Sequence, residues 1–293
     1  MIDYPSRIKQ LYALLNPCRL CPHNCGVNRL AGQKGKCRTD TNVMVASHNI
    51  HHGEEPPISG VTGSGTIFFA NCSLSCVYCQ NYPISQHGNG NNVTIAALAG
   101  MMLSLQKRGA HNINLVTPSH VAPMAVEAIY EARAGGLKLP IIYNCSGYES
   151  LETLALLDGI VDIYLPDAKY GDETTARKLS GAAGYWEANK AALKEMYRQV
   201  GNMTTDENGI AQRGLIIRHM ALPNNLSGSK NVFEFIAREL SRDTHLSIMA
   251  QYHPAHRAGE YPELSRRLTP DEYKNTLDAA RKSGIGNGWQ QEL

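Results

Sequence analysis

Three cysteines within a span of eight residues constrain this chain more than any other feature of its sequence. Cys72, Cys76 and Cys79 have the spacing C-x3-C-x2-C and directly follow a predicted strand, residues 66–71. Three thiolates so close together suit a soft metal ion or an iron–sulfur cluster. Because a closed structural site takes four protein ligands, three cysteines leave one position for chemistry. The alternative is a structural metal site with a remote fourth ligand.

A second group of cysteines precedes this loop. It has the spacing C-x2-C-x3-C-x11-C and consists of Cys18, Cys21, Cys25 and Cys37. Four thiolates complete either a tetrahedral zinc site or a closed iron–sulfur cluster, and the sequence leaves both open. His23 can replace one thiolate, although we expect it to face solvent. The start of the chain lacks the features of a signal peptide, so the clustered cysteines favour metal binding over disulfides and predict a cytoplasmic protein.

Length and charge narrow the class of protein. The chain has 293 residues and a formal net charge of +2, so it can bury a large core and has no general attraction for nucleic acid. It contains no run of about 18 apolar residues, and we therefore predict no membrane span.

From residue 66 onward, short apolar strands alternate with helical segments. This alternation predicts an α/β fold with a parallel sheet covered by helices. We predict a partial (β/α)6 TIM-like barrel over residues 61–293, rather than a flat doubly wound sheet, and a small N-terminal Cys-rich module with its lead-in loop over residues 1–60. The six predicted strands are residues 66–71, 113–117, 141–145, 160–166, 214–220 and 247–252.

Polar side chains stand at the carboxyl ends of these strands. They are Thr117, Ser119, His120, Asn144, Cys145, Ser146, Asp167, Lys169, Arg218, His219, Gln251 and His253. Because the carboxyl ends of parallel strands meet at one edge, we expect these groups to converge. Burying so many unpaired polar groups is costly, so they predict a polar ligand. Asp167 and Lys169 point the same way along their strand and can also simply pair with each other.

Residues 51–60 combine two histidines and two glutamates with glycine and proline. The histidines and glutamates are possible metal ligands, whereas the glycines and prolines are typical of a loop. We expect a polar loop that packs over the mouth of the barrel rather than a metal site.

The cysteine loop closely resembles the signature of the radical S-adenosylmethionine (SAM) superfamily. Its three cysteines match the cluster motif, and Tyr78 stands at the aromatic position before the last cysteine. More narrowly, the chain is similar to pyruvate formate-lyase activating enzyme-like (PflX-like) proteins. That resemblance lies in the module at residues 18–37 and in three segments, Gly53-Glu54-Glu55-Pro56, Cys79-Gln80-Asn81-Tyr82 and Asp167-Ala168-Lys169-Tyr170.

The resemblance implies a chemistry. A [4Fe-4S] cluster on Cys72, Cys76 and Cys79 would bind SAM through its fourth iron. One electron, from a donor such as flavodoxin or ferredoxin, would cleave SAM to methionine and a 5′-deoxyadenosyl radical, which abstracts hydrogen from a substrate. The cofactor carries the difficult chemistry, and the protein positions it.

The resemblance also implies roles at the strand ends. Asp167 would meet the ribose or the amine of SAM, and Lys169 or Arg218 its carboxylate. Tyr78 and the region of Tyr252 would flank the adenine. The expected cofactor-binding set is Tyr78, Asn81, Thr117, Ser119, Asn144, Ser146, Asp167, Lys169, Arg218, Gln251 and Tyr252.

Two positions need separate comment. Members of the family commonly carry a Gly-Gly-Glu segment after the second strand, where this chain has Val116-Thr117-Pro118-Ser119-His120. Thr117 or Ser119 would then contact the amine of SAM. Cys145 is a candidate catalytic residue because a thiol near a radical can donate hydrogen, although a lone cysteine at a strand end is commonly packed and inert.

Three hypotheses for function follow. The leading one is a radical SAM enzyme that acts on a protein or peptide, by analogy with activating enzymes. The second keeps this chemistry but assigns a small molecule or RNA as substrate, and the lack of a basic and aromatic stripe counts against RNA. The third is a non-enzymatic metal-cluster scaffold that binds a partner. We expect no membrane partner.

Overall fold

Parallel strands form the centre of the fold in a computed structural model of the chain, which describes residues 2–292. Residues 1 and 293, the ends of the two predicted domains, lie outside the described residues. The strands are β1 (Val43–His51), β2 (Ser64–Phe69), β3 (Asn91–Val93), β4 (Ile113–Val116), β5 (Ile141–Cys145), β6 (Ile163–Pro166), β7 (Thr204–Thr205), β8 (Ala211–Met220), β9 (His245–Met249) and β10 (Gly288–Gln290).

These strands join in the order β10-β9-β8-β6-β5-β4-β2-β1-β3, with β7 pairing beside β8. Every neighbouring pair from β10 to β2 is parallel, whereas β1 is antiparallel to both β2 and β3. The partial α/β barrel is therefore confirmed, and its sheet does not close. All six predicted strands are present, β5 with the predicted ends and the other five with shifted ends, and β10 adds a further parallel strand.

The helices are α1 (Tyr4–Ala13), α2 (Pro56–Ser59), α3 (Tyr82–Ser85), α4 (Ile95–Lys107), α5 (Ala122–Ala134), α6 (Leu151–Leu157), α7 (Glu173–Ser180), α8 (Tyr185–Val200), α9 (Ser229–Glu239) and α10 (Pro270–Lys282). Most of the longer helices cover the outer face of the sheet, whereas α2 lies inside the barrel and α3 borders the cysteine loop. Local sequence sets several of their starts. Thr94 caps α4, and Thr269 and Glu272 form a capping box at α10, which satisfies backbone N–H groups that lack helical partners.

The two faces of the sheet have different tasks. Along β5, Ile141 and Tyr143 point outward into the main hydrophobic core beneath the helices. Ile142, between them, points inward into a smaller apolar cluster. Because side chains alternate along a strand, Asn144 also points inward, above Ile142. The inner face therefore combines an apolar floor with polar groups near the carboxyl ends of the strands.

The segment at residues 53–60 fills the inside of the barrel, so the predicted loop over the mouth is wrong. Ile58 is fully buried against Ile142 and Ile163. The Asn112 side chain, just before β4, donates to the Ile58 carbonyl at 2.8 Å. This contact places α2 at the amino-terminal ends of the parallel strands. The reason is apolar burial: Pro-Pro-Ile covers inward-facing strand residues that an open sheet would otherwise expose.

The N-terminal residues pack against the barrel. Arg29 is almost completely buried and donates to the carbonyl groups of Asp40 and His120. β1 pairs with β2 along most of its length. The structure thus joins residues 43–60, which precede the predicted domain boundary at residue 60, to the sheet. Among residues 2–292, no helix is both long enough and apolar enough to cross a membrane.

Candidate active site

The cysteine loop leaves the carboxyl end of β2 and is held by backbone hydrogen bonds. Asn71 turns the chain with a positive φ of 70°. Further along, the N–H of Ser75 donates to the Ser180 carbonyl at 3.0 Å, and that of Val77 to the Leu179 carbonyl at 2.8 Å. The end of α7 therefore fixes the loop in place. Such anchoring is needed because an irregular loop has no ladder of its own to satisfy its backbone.

Each sulfur of the loop has a hydrogen-bonding neighbour. The pairs are Leu74 N–H with Cys72 Sγ (3.4 Å), Ser180 Oγ with Cys76 Sγ (3.0 Å) and Ser85 Oγ with Cys79 Sγ (3.1 Å). Burial raises the pKa of Cys72 to about 12 and that of Cys76 to about 11. A metal would take the place of these protons, and donors near sulfur are groups that tune iron–sulfur clusters.

A chain of hydroxyl groups leads to Cys76. The Ser180 hydroxyl donates its single proton to Cys76 Sγ, so it must accept from Tyr170 at 2.6 Å. The Tyr170 hydroxyl then accepts from Tyr78 at 2.7 Å. The sequence predicts that Tyr78 flanks the adenine. Its hydroxyl group also begins the chain of hydrogen bonds that ends at Cys76 Sγ.

A cavity of about 390 Å³ opens beside the cysteine loop. It is lined by all three cysteines of the loop and by eight of the predicted cofactor-binding residues, namely Asn81, Thr117, Asn144, Ser146, Asp167, Lys169, Arg218 and Gln251. An adjoining cavity of about 200 Å³ is lined in addition by Tyr78, Met220 and Met249. Volumes of this order suit a small organic ligand.

Charged groups form a row across this cavity. Lys169 Nζ lies 2.6 Å from Asp167 Oδ2, and Arg218 Nε lies 3.0 Å from Asp167 Oδ1. Arg218 also donates to the Asn144 side chain at 2.7 Å, and its Nη1 lies 3.8 Å from Glu54 Oε2. Asp167 and Lys169 therefore pair with each other and face the cavity as well.

Burial and charge act in opposite directions on the two acids of this row. Burial would raise the pKa of Asp167, but Arg218 and Lys169 lower it below its ordinary value. Burial raises the pKa of Glu54 to about 7, because Arg218 offsets only part of the cost and Glu55 and Asp167 add to it. Asp167 is consequently held ionised, whereas the charge of Glu54 is only partly compensated.

Two members of the predicted cofactor-binding set lie away from the cavity. The Ser119 hydroxyl donates to the buried carboxyl group of Glu149 instead. Tyr252 donates to the Leu264 carbonyl at 2.6 Å, and its ring contacts the edge of Tyr78. Both side chains come from residues that follow a strand but face the packed layers, where their hydroxyl groups need partners.

Cys145 is 3% exposed, packs with Tyr143 in the core between the sheet and the helices, and also contributes to the lining of the 390 Å³ cavity. Burial and the nearby carboxyl group of Glu149 raise its pKa well above the ordinary value. Strand alternation explains this placement, because Cys145 follows the inward-facing Asn144. The catalytic role of Cys145 stays a prediction, and its contacts are those of a packed thiol.

Sequence reasoning missed Glu54 and Glu149 as individual site residues. Glu54 had a signal, because it stands in the Gly53-Glu54-Glu55-Pro56 segment, but its position inside the barrel follows from the burial of Ile58. Glu149 had none, since its partners Ser119 and Tyr143 come from different strand–helix units.

The second cysteine group forms turns close to its sulfurs. The N–H of Gly26 donates to the Cys18 carbonyl at 3.1 Å, and that of Lys36 approaches Cys25 Sγ at 3.4 Å. A Cβ on Gly35 would lie only 2.8 Å from Cys25 Sγ. All eight cysteines are free thiols. Within residues 2–292, no three or more His, Cys, Asp or Glu side chains are grouped closely enough to hold a single metal ion.

His23 connects the two cysteine groups. Its Nε2 lies 2.7 Å from the carbonyl oxygen of Ser73, between Cys72 and Leu74, and its ring contacts the edge of Tyr148. The prediction of a solvent-facing histidine is therefore wrong. The module packs directly against the cysteine loop, and this contact leaves the ring half-buried.

Comparison with known proteins supports the family resemblance of the cysteine loop. The model of the Radical SAM superfamily matches residues 66–207. The chain is 30% identical over 279 residues to the uncharacterized protein MJ0674 of Methanocaldococcus jannaschii, covering 92% of this chain and 75% of that protein. Neither match tests the narrower resemblance to PflX-like proteins, which stays a prediction.

Solved structures show the same fold. Streptococcus suis SuiB bound to S-adenosylmethionine aligns with a TM-score of 0.51 at 12% identity, over 76% of this chain and 48% of that one. The [FeFe]-hydrogenase maturase HydG of Carboxydothermus hydrogenoformans aligns with a TM-score of 0.50 at 11% identity, over 73% and 49%. The chain spans about half the length of these structures. With the family model that matches residues 66–207 and the M. jannaschii relative that aligns over 92% of the chain, the chain belongs to the radical SAM superfamily of enzymes.

Proposed function

We propose that Cys72, Cys76 and Cys79 hold the [4Fe-4S] cluster that the superfamily implies, and that SAM binds in the adjoining cavity. The observation that carries this proposal is the joint lining of one cavity by three cysteine sulfurs and by the row of charged groups. The donor set fits, because three thiolates supply soft ligands and leave one position open. Once bound, the cluster supplies the electron for radical cleavage of SAM.

Different residues of the charged row would then bind different polar groups of SAM. Lys169 and Asp167 line the adjoining cavity together with Cys76 and Cys79, so they lie at the end of the row nearer the cluster. Lys169 would bind the carboxylate of SAM and Asp167 its ammonium group, with charge-assisted hydrogen bonds. Met220 and Met249 line the adjoining cavity and offer adaptable apolar contacts for the adenine.

The substrate that we propose is a protein or peptide. Support comes from the sequence resemblance to activating enzymes and from the open sheet, which leaves one side of the barrel free of strands. A small molecule or RNA remains the alternative within the same chemistry. We also propose a one-electron donor of the flavodoxin or ferredoxin class.

The direct test is anaerobic reconstitution with iron and sulfide, followed by addition of dithionite and SAM. We expect 5′-deoxyadenosine from the wild-type protein and none from Cys76→Ala. Val61→Ala is the control, because Val61 is 89% exposed and lines neither cavity, and this variant should still form 5′-deoxyadenosine. An intact cluster that yields no 5′-deoxyadenosine in the wild type would contradict the proposal.

For the second cysteine group we propose a bound metal, either zinc or an auxiliary iron–sulfur cluster. The chain turns tightly at Cys18, where the Gly26 N–H donates to its carbonyl, and at Cys25, where the Lys36 N–H approaches its sulfur, as in metal-binding knuckles. The triple variant Cys72→Ala/Cys76→Ala/Cys79→Ala isolates this group. Residual iron with sulfide absorption identifies a cluster, stoichiometric zinc identifies a structural site, and the absence of both metals contradicts the proposal.

A further inference from the structure

The floor of the cavity carries an acidic pair whose role the SAM chemistry leaves open. Glu54 lines the cavity and its side chain is only 10% exposed. Glu55 follows it in the chain, is 8% exposed, and its Oε2 has no hydrogen-bond partner in the described part of the chain. Both acids reach this position because the buried Ile58 anchors the segment inside the barrel.

The charges around this pair do not balance. The carboxyl groups of Glu54, Glu55 and Asp167 act on Arg218, and Lys169 adds one further cation. Three acids therefore lie near two bases, and His51 also lines the cavity. With its pKa raised to about 7, Glu54 is partly ionised at neutral pH. A buried acid without a full partner is costly, so a cation supplied by a ligand would be favourable at this position.

Position decides which ligand supplies that cation. Cys76 and Cys79 line the adjoining cavity together with Lys169 and Asp167. Glu54 lines only the 390 Å³ cavity and meets the row through Arg218, whose Nη1 lies 3.8 Å from Glu54 Oε2. The row thus runs from the cysteine loop to Glu54, with Glu54 at the far end. The ammonium and carboxylate groups of SAM must stay beside the cluster, so they occupy the near end. Glu54 is left to face the substrate.

An independent observation points to a ligand in the same cavity. Ser146 lines it, is 9% exposed, and its hydroxyl oxygen has no partner among the described residues. Phe68 and Val116 line the same cavity and give it apolar walls. Acid at the floor, apolar walls and a free hydroxyl together describe a pocket for an alkyl chain that ends in a positive charge.

We infer that Glu54, backed by Glu55, binds an ammonium or guanidinium group of the substrate and so holds its alkyl chain beside SAM. The inference rests on the proposed function, because it takes the near end of the row to be filled by SAM. It names a substrate class: a lysine or arginine side chain of a peptide, or a free alkylamine or alkylguanidine with the same chemistry.

The test measures binding to the reconstituted, SAM-loaded protein by anaerobic calorimetry. The probes are Nα-acetyl-lysine N-methylamide, Nα-acetyl-arginine N-methylamide and the neutral Nα-acetyl-norleucine N-methylamide. We expect at least one cationic probe to bind about 10- to 100-fold more tightly than the neutral one, the range for a buried charge-assisted hydrogen bond. Equal binding of cationic and neutral probes, or no binding of the cationic ones, overturns the inference without any variant.

Variants then assign the effect to a residue. Glu54→Gln should abolish the preference for the cationic probe, while Glu131→Gln, an exposed acid on α5, should retain it. A preference that survives in Glu54→Gln overturns the inference. If Glu54→Gln does not fold, the double variant Glu54→Lys/Arg218→Glu replaces it, because it exchanges the charges of the pair. This variant should prefer the anionic probe Nα-acetyl-glutamate N-methylamide. An unchanged preference for the cationic probe overturns the inference.

Two further comparisons complete the test. One distinguishes a peptide from a small amine as the substrate, and the other distinguishes failure of the substrate inference from failure of the proposed function. Short peptides with a central lysine or arginine that bind more tightly than butylamine or butylguanidine identify a peptide substrate, and the reverse order identifies a small amine. Formation of 5′-deoxyadenosine without any cation preference defeats only the substrate assignment. An intact cluster that forms none defeats the proposed function instead.

Discussion

At the scale of single residues, Glu149 shows how burial changes a side chain. Its carboxyl group accepts hydrogen bonds from Ser119 and Tyr143 and lies in the core. Burial raises its pKa to about 7, even though these donors and Cys145 lower it. The group lies outside the cavity, so it affects the stability of the barrel wall rather than ligand binding directly.

This shift predicts a pH dependence of folding. The folded protein keeps a proton on Glu149 up to about pH 7, whereas an unfolded chain releases it above pH 4.5. The stabilisation is thus complete below pH 4.5 and is lost as the pH rises through 7. The loss is about 3 kcal/mol in the free energy of unfolding, from about 1.4 kcal/mol for each pH unit.

Glu149→Gln should remove this loss. Between about pH 5 and pH 8 we expect its free energy of unfolding to improve relative to wild type by about 2–3 kcal/mol. Urea denaturation at several pH values measures the difference, and the change with pH matters rather than the absolute value, because the amide alters the hydrogen bonds. The exposed Glu131→Gln is the control. Parallel pH curves for Glu149→Gln and wild type would contradict the assignment.

The side chains that the sequence places at strand ends converge where strand alternation holds. Asp167 and Arg218 face the cavity because a backbone bridge between them extends the alternation just past β6. Ser119 and Tyr252 stand farther past β4 and β9, where alternation no longer fixes direction, and neither is part of the cavity lining. Their positions depend on partners such as Glu149, which come from distant parts of the chain.

At the scale of elements, the segment around α2 sets the depth of the cavity. The order of strands and helices was predictable from apolar periodicity, which each element carries locally. The burial of residues 53–60 inside the barrel was not predictable, because this segment is rich in loop-forming residues and its burial depends on the inward faces of several strands. Only the assembled sheet creates the space that Ile58 occupies.

The burial of residues 53–60 predicts that substitutions of two nearby apolar residues will differ sharply in their effect on the free energy of unfolding. Ile58→Ala leaves a cavity in a fully buried cluster and should lower the free energy of unfolding by about 2–5 kcal/mol. Val61→Ala is the matched control, since Val61 is 89% exposed, and should change it by less than about 0.5 kcal/mol. Equilibrium urea denaturation compares them, and equal effects would show that the segment is not packed inside the barrel.

At the scale of the whole molecule, the N-terminal module acts as a brace for the cysteine loop. Besides the His23 contact, Arg38 donates to the Ser85 carbonyl at 2.6 Å, and the Asn71 side chain donates to Thr39 Oγ1 at 3.3 Å. The sequence showed two separate cysteine groups but not their contact. Such contacts join residues far apart in the chain and leave no periodic pattern in it.

This arrangement predicts that the module controls how firmly the loop holds its cluster. His23→Ala removes the ring that contacts the Ser73 carbonyl at 2.7 Å, in a half-buried site next to Cys72. A lost hydrogen bond of about 0.5–1.5 kcal/mol raises the population of an opened loop about two- to tenfold. The rate at which an iron chelator removes iron from the reconstituted cluster should rise by the same factor, and SAM should slow it.

Arg19→Ala is the control, because it breaks an exposed ion pair between the module and Glu152 on α6, away from the loop. A chelation rate that rises equally in both variants would mean that the module stabilises the fold in general, whereas a rise confined to His23→Ala would locate the brace at the cysteine loop.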